Sequence, residues 1–277
     1  METDDSLGDR MKLYERMGMP ERFMPLLPVM ARIDGRAFHS FVDGLKRPYD
    51  DRLSQMLIDT TKWLVKETNA VIGYCQSDEI SLCWQSTDPG VQIFFDGRCA
   101  KIISQLASMT SVYFYELCQE RLPPEYAKKR PTFNCRAWNV PCRYEASNTF
   151  LWREWDATKN SISMAARAYY EHKDLENKNG AEMQEMLFKK GVNWNDYPRF
   201  FKRGTFVQRR IVSHKFTVKE LEGLPPLHHA RRNPELTYDR SEYIEVNMPP
   251  FGKVTNRDDV VFEAAEPKSG ACEPNVG

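Results

Sequence analysis

Two aspartates end short apolar runs in this sequence: Asp34 in Ala31-Arg-Ile-Asp-Gly-Arg-Ala-Phe-His39, and Asp78 in Gly73-Tyr-Cys-Gln-Ser-Asp-Glu79. Each run reads as a buried strand, and neighbouring strands would bring the two carboxylates to one sheet end. At ~4 Å such anions repel by several kcal/mol at an effective dielectric of ~20. A hard divalent cation removes that cost, because Mg2+ is held by one or two carboxylates together with substrate phosphates. The arrangement suits two-metal phosphoryl or nucleotidyl transfer. Asp-Gly is also a turn signal, so on spacing alone both aspartates read equally well as strand-end turn residues.

Residues around the pair extend this reading. Gly35 has no side chain, which lets its carbonyl approach a metal or phosphate closely. Arg36, Ala37, Phe38 and His39 would begin a nucleotide pocket, although a packed histidine is an equally good account of His39. Glu79 follows Asp78 and points the other way if the strand has begun, outside the direct ligands. Arg98 and Lys101, three apart on one helix face, are candidates for a triphosphate, with Gly97 leaving the helix entrance open to an anion. A Gly-x-x-x-x-Gly-Lys-Ser/Thr loop and a Gly-x-Ser-x-Gly elbow are both absent, so P-loop and hydrolase chemistry have no support.

The elements that must position these residues follow from periodicity. Pro28 to Asp34 is a predicted strand, and Asp50 caps a helix carrying Leu53, Met56, Leu57, Trp63 and Leu64 at helical spacing. Ala70 to Cys75 and Ile80 to Trp84 form a hairpin with Asp78 near its tip. Phe94 to Cys118 is a second helix, and Thr132 to Val140 a further strand. The order β-α-β-β-α-β is a split, ferredoxin-like unit whose first and third strands can be neighbours. We therefore expect an α+β fold of the polymerase and cyclase palm type. Its palm-like part would cover 1–145, a helical, basic-aromatic part of the same unit 146–252, and a mobile tail 253–277.

The chain has 277 residues, no net charge and seven cysteines without a Cys-x-x-Cys pair. This disfavours a zinc site or disulfide framework and fits a reduced, cytoplasmic compartment. With no apolar run of about 18 residues, no membrane span is expected. Charge is uneven, however: Lys189 to Lys215 holds eight Lys/Arg against Asp196 alone, interleaved with Trp194, Tyr197, Phe200, Phe201 and Phe206. Such a stripe, with Lys202 and Arg203 at its centre, can neutralise phosphates and stack bases, or be a solvated face over an aromatic core. The helix from Asn148 to Tyr170 puts Arg153, Asp156 and Asn160 on a polar face that could touch RNA, opposite an apolar stripe.

Taken in order, Arg32-Ile-Asp-Gly-Arg-Ala-Phe-His39, Gln76-Ser-Asp-Glu79, Arg98-x-x-Lys101, Trp152-Arg153 with Asp156 and Asn160, and Phe201-Lys-Arg-Gly-Thr205 resemble the tRNA-His guanylyltransferase family. The resemblance spans roughly 7–252. Leu7-Gly-Asp-Arg-Met-Lys12 and Val246-Asn-Met-Pro-Pro-Phe-Gly-Lys-Val254 are similar to its bacterial, archaeal or phage guanylyltransferase-like branch. It implies nucleotide addition to the 5′ end of tRNA in the 3′→5′ direction, with GTP and ATP as substrates, two Mg2+ ions and a homotetramer. It also implies Asp34, the Gly35 carbonyl and Asp78 as metal ligands, Ser77 and Glu79 as supports, and Arg98 with Lys101 as triphosphate contacts. Arg47 and Asp50 would approach the incoming base, in an Arg-Pro-Tyr-Asp segment where the family has Lys-Pro-Asn-Asp. Thr158-Lys-Asn-Ser161 replaces the eukaryotic His-Ile-Asn-Asn stretch. In the like-protein branch that change goes with templated repair of 5′-truncated tRNAs rather than addition of a single guanosine. A palm-fold nucleotide cyclase and a dormant RNA-binding palm are the competing readings.

Overall fold

The computed structural model describes residues 20–233 and 235–270; the Leu7 to Lys12 motif lies outside them. Strand β1 (Val29–Gly35) alternates its faces, with Val29, Ala31 and Ile33 in one core and Met30 in a second. Asp50 starts helix α1 (Asp51–Thr68) by accepting the Arg52 amide at 3.0 Å, an N-cap that satisfies one of the first turn's orphan donors. Strands β2 (Ile72–Gln76) and β3 (Glu79–Trp84) then form a hairpin. Helix α2 (Cys99–Arg121) and strand β4 (Phe133–Asn139) complete the unit.

The strands lie in the order β4-β1-β3-β2, all antiparallel, so the first and third are neighbours, as the split βαβ pattern predicts. Helices α1 and α2 cover one sheet face with Leu57, Leu64, Ile102 and Phe114. The long helix α3 (Arg143–Arg167) packs on the other through Ala146 and Phe150. Beyond α3, helices α4 (Gly180–Lys189) and α5 (Arg199–Arg203) close one end of the molecule.

Two expectations change here. The part from 146 to 252 is not purely helical: β5 (Thr205–Lys215) and β6 (Thr237–Glu245) extend the sheet past β2. Only Thr205, Phe206 and Val207 of β5 pair with β2; the remainder pairs with β6 alone, as a two-stranded arm. A strand free on both faces needs no apolar alternation, and the basic composition concealed it. Nor does a mobile tail begin at 253. Helix α6 (Arg257–Glu263) buries Val260 and Val261 against α3, and the Gln208 carboxamide donates to both their carbonyls at 2.9 and 3.0 Å. Its apolar stretch is too short to show a helical period.

Candidate active site

The two aspartates are brought to one sheet end by strand register. Gln76 pairs with Glu79, leaving Ser77 and Asp78 as a two-residue hairpin loop in which Ser77 takes φ 48°. Asp34 stands opposite Glu79 across β1 and β3, and the Gly35 amide donates to the Asp78 carbonyl at 3.2 Å. On the other side Asn134 Nδ2 donates to the Asp34 carbonyl at 3.1 Å. Both acids are therefore fixed through their backbones, which leaves the carboxylates available.

The electrostatics of the pair are unrelieved. Burial first, and then the Asp34 charge, push the Asp78 carboxyl above the usual range; the Ser77 hydroxyl, 3.2 Å from Oδ1, opposes this. Neither acid forms a salt bridge to Lys or Arg among the described residues. Gly35 cannot be replaced without movement, since a Cβ there would lie 2.4 Å from Phe38 Cδ2 and 2.9 Å from Asp78 Oδ2. Among the described residues no cluster of three His, Cys, Asp or Glu side chains could hold a metal. The donor set is instead two carboxylates and a nearby carbonyl, all hard oxygens. It fits Mg2+, which keeps several positions for water and phosphate.

A cavity of about 590 Å3 opens beside Asp78, within the range of small-ligand sites. Gly35, Ala37, His39, Arg47, Ser77 and Asp78 line its polar end. Its walls are Leu53 and Leu57 of α1, Met164 of α3, and the aromatic group of Tyr49, Phe200 and Phe201. Phe200 and Phe201 belong to the aromatic stripe read from the sequence as able to stack bases, but nothing in the sequence places them with Tyr49 of Arg-Pro-Tyr-Asp against this cavity.

A family model described as tRNAHis guanylyltransferase matches residues 8–141. A solved structure of a bacterial tRNA(His) guanylyltransferase-like protein in complex with ATP is 33% identical, with TM-score 0.74, covering 93% of this chain and 99% of that one. The chain belongs to the tRNA(His) guanylyltransferase family. A bacterial like-protein structure in complex with GTP is likewise 33% identical, with TM-score 0.66 and coverage of 90% and 95%. The tRNA(His) guanylyltransferase of Debaryomyces hansenii is 28% identical over 215 residues, 71% of this chain and 80% of its own length. The family is one of nucleotidyltransferase enzymes with a palm-like fold.

Against that family background several residues take places other than those expected. Glu79 is buried and bidentate to Arg153, with Nε–Oε1 2.5 Å and Nη2–Oε2 2.7 Å. Burial pushes its carboxyl up while Arg153 opposes; it anchors the hairpin to α3. Arg153 is thus not an RNA-facing residue. Its Nη2 also reaches Asp156, which accepts from Asn160 Nδ2, so Asp156 is engaged as well and Asn160 alone of the three stays exposed. Three of its five N–H donors are engaged and its side chain is 7% exposed, so little of the guanidinium is open to a phosphate.

Asp50 is buried too, accepting from the Arg52 amide, Nε and Nη2 and, at 3.4 Å, from the Lys46 amide. These bonds hold its carboxyl below the usual range, Arg52 foremost. Phe38 packs with Phe41, Phe114 and Phe133, while Arg36, His39 and Arg47 are exposed. Arg98 and Lys101 open onto a different cavity, also about 590 Å3, with Trp84, Phe94 and Phe95. The helix entrance is not open: Gly97 is buried, and the Cys99 amide donates to the Glu21 carbonyl. Lys202 bonds the Asn195 carbonyl and lies over Trp194, and Arg203 accepts the Tyr74 hydroxyl on its carbonyl. The interleaved aromatics of that stripe face inward, Phe206 completely.

Proposed function

We propose that this protein transfers nucleotides to the 5′ end of tRNA in the 3′→5′ direction and acts as a template-dependent repair enzyme. The observation that carries the reading is the carboxylate pair, two neighbouring acids with no cationic partner among the described residues, at the mouth of a nucleotide-sized cavity. Asp34, Asp78 and the Gly35 carbonyl would hold Mg2+. When bound, the metal supplies charge neutralisation at the triphosphate and lowers the pKa of a coordinated hydroxyl.

The chain's own residues bind and orient. Tyr49, Phe200 and Phe201 would enclose the base of the incoming nucleoside triphosphate, while His39, Arg47 and Ser77 face its polar end. The RNA end reacts as an adenylate formed with ATP, or as an existing 5′-triphosphate. The 3′-hydroxyl of the incoming nucleotide attacks that α-phosphorus; the new P–O bond forms as AMP or pyrophosphate leaves. Arg98 and Lys101 would serve a second polyphosphate or the RNA 5′ phosphate in their own cavity, apart from the carboxylate pair.

Repair is favoured over addition of one guanosine by two features. Thr158 stands where the eukaryotic enzymes carry histidine, and its hydroxyl donates to the Glu154 carbonyl. Tyr49, Phe200 and Phe201 offer the base ring faces that suit any base, and both Asp50 carboxylate oxygens are already engaged. A 5′-truncated tRNA with each labelled nucleoside triphosphate, Mg2+, and ATP present or absent provides the test. Products that grow by the templated nucleotide and stop at full length support repair; a single guanosine regardless of template sinks it. No transfer to any tRNA sinks the activity itself. Asp78→Ala should fold, bind RNA and transfer nothing.

A further inference from the structure

Helix α3 turns an aromatic row outward. Tyr144, Trp152 and Trp155 stand 55%, 51% and 62% exposed. At 100° per residue these three fall within one arc of about 80°, which also holds the exposed Lys159. From Tyr144 to Lys159 the row runs about 22 Å at ~1.5 Å per residue. One exposed aromatic is ordinary; three on one helix face, two of them tryptophan, mark a contact surface.

Cations border the row. The guanidinium carbons of Arg153 and Arg32 lie 4.6 and 5.9 Å from the Trp152 ring centre. Arg32 pairs across the sheet with Arg136, whose side chain is exposed on the same face. Arg32 Nε is buried without a hydrogen-bond acceptor among the described residues, 3.6 Å from the Glu79 carboxylate. The neighbouring acids, Glu79 and Asp156, are both taken by Arg153. Asp34 lies two residues along β1 from Arg32 on that face, so the row reaches the carboxylate pair. Ala157, Ser161 and Met164, which line the nucleotide cavity, sit on the opposite side of α3. The helix separates two approaches to one reaction centre.

We propose that Tyr144, Trp152 and Trp155 form a stacking platform for unpaired bases of the 3′ strand opposite the 5′ end that reacts at Asp34 and Asp78, with Arg32, Arg136 and Lys159 meeting the RNA phosphates. The proposal rests on the nucleotidyl-transfer reading above. Rings offer any base a face, which suits a substrate whose sequence varies, and the cations supply the charge complementarity that a second copy's apolar surface would not need.

The test uses the full chain and a fluorescent tRNA lacking its first 5′ nucleotides, so that its 3′ strand is unpaired. Trp152→Ala/Trp155→Ala should weaken RNA binding by about tenfold or more, as loss of base stacking does, with GTP affinity unchanged. Trp152→Phe/Trp155→Phe should recover most of the RNA affinity, and thermal melting should show all variants folded. Wild-type RNA affinity in the double alanine variant overturns the platform. So does an affinity loss that only follows dissociation of an oligomer in sedimentation, since the face would then join copies of this chain. If the wild type transfers nothing but its RNA binding depends on both tryptophans, the platform stands and the enzymatic reading falls.

Discussion

Arg153→Leu separates an anchoring role for Glu79 from a metal-binding one. The Glu79 and Arg153 side chains are 8% and 7% exposed and meet in a two-bond fork of 2.5 and 2.7 Å. Without the guanidinium, the nearest cation to Glu79 among the described residues is Arg32 Nε at 3.6 Å, too long for a hydrogen bond. Breaking one partner of such a pair costs ~3–5 kcal/mol, because the survivor is a buried, uncompensated charge. In a chain of this size each kcal/mol lowers Tm by ~2–4 °C, so a fall of about 6–20 °C is expected. The loss should shrink toward acid pH. Burial already raises the Glu79 carboxyl and Arg153 restrains it; freed of that restraint, Glu79 protonates more readily and sheds the charge. Urea unfolding at pH 7 and pH 5.5 reads both effects. Glu79→Leu/Arg153→Met should cost no more than ~1 kcal/mol, since apolar replacements of a buried pair are often neutral. A loss below ~1 kcal/mol in Arg153→Leu, or a double variant as unstable as the two singles summed, would refute the anchor.

Three further outcomes are expected. Mg2+ at millimolar concentration should raise the Tm of the wild type but not of Asp78→Asn, because a ligand stabilises only the state that binds it; equal rises would remove the ion from this site. Burial raises the Glu154 carboxyl to about 7, against the Phe251 amide that donates to it at 2.8 Å. The folded state then holds this proton more tightly than the unfolded one, so its contribution is greatest below about pH 4.5 and is lost by about pH 7, on the order of 3 kcal/mol; Glu154→Gln should flatten that slope in pH-dependent melting. Gly204 has φ 74°, and a Cβ would lie 2.5 Å from the Cys75 carbonyl and 2.7 Å from Tyr74 Cζ. Gly204→Ala should therefore cost about 2–5 kcal/mol in urea unfolding, and an unchanged midpoint would contradict the β2–β5 junction.

What the sequence disclosed was local. Asp34 and Asp78 sit at the ends of apolar runs, and a two-residue loop between β2 and β3 leaves little choice over where Asp78 goes. The split order of elements then makes β1 and β3 neighbours. The Asp50 cap was equally legible, since donor and acceptor lie two residues apart. Charged residues were harder. Arg153 and Glu79 are 74 positions apart, and nothing nearby in either segment names the partner. Lys202 looked like a phosphate contact because composition counts charges without showing that Asn195 and Trp194 occupy this one. The arm formed by β5 and β6 was missed for a related reason: its outer half buries little, so it has no apolar rhythm to read.

Helix α3 shows where the boundary falls. Its periodicity assigns Leu151, Trp155, Ile162, Ala166 and Tyr169 to an apolar stripe and Arg153, Asp156 and Asn160 to a polar face, and the simplest inference buries the first and exposes the second. Tertiary structure inverts part of that. Trp155 is turned out, while Arg153 is turned in because the sheet offers it Glu79. A helix fixes which residues share a face, but the charge on the opposing strand decides which way that face is turned. At this site the deciding charge is the carboxylate directly after Asp78, so the hairpin that carries one acid of the pair also fastens the helix that lines the cavity beside it.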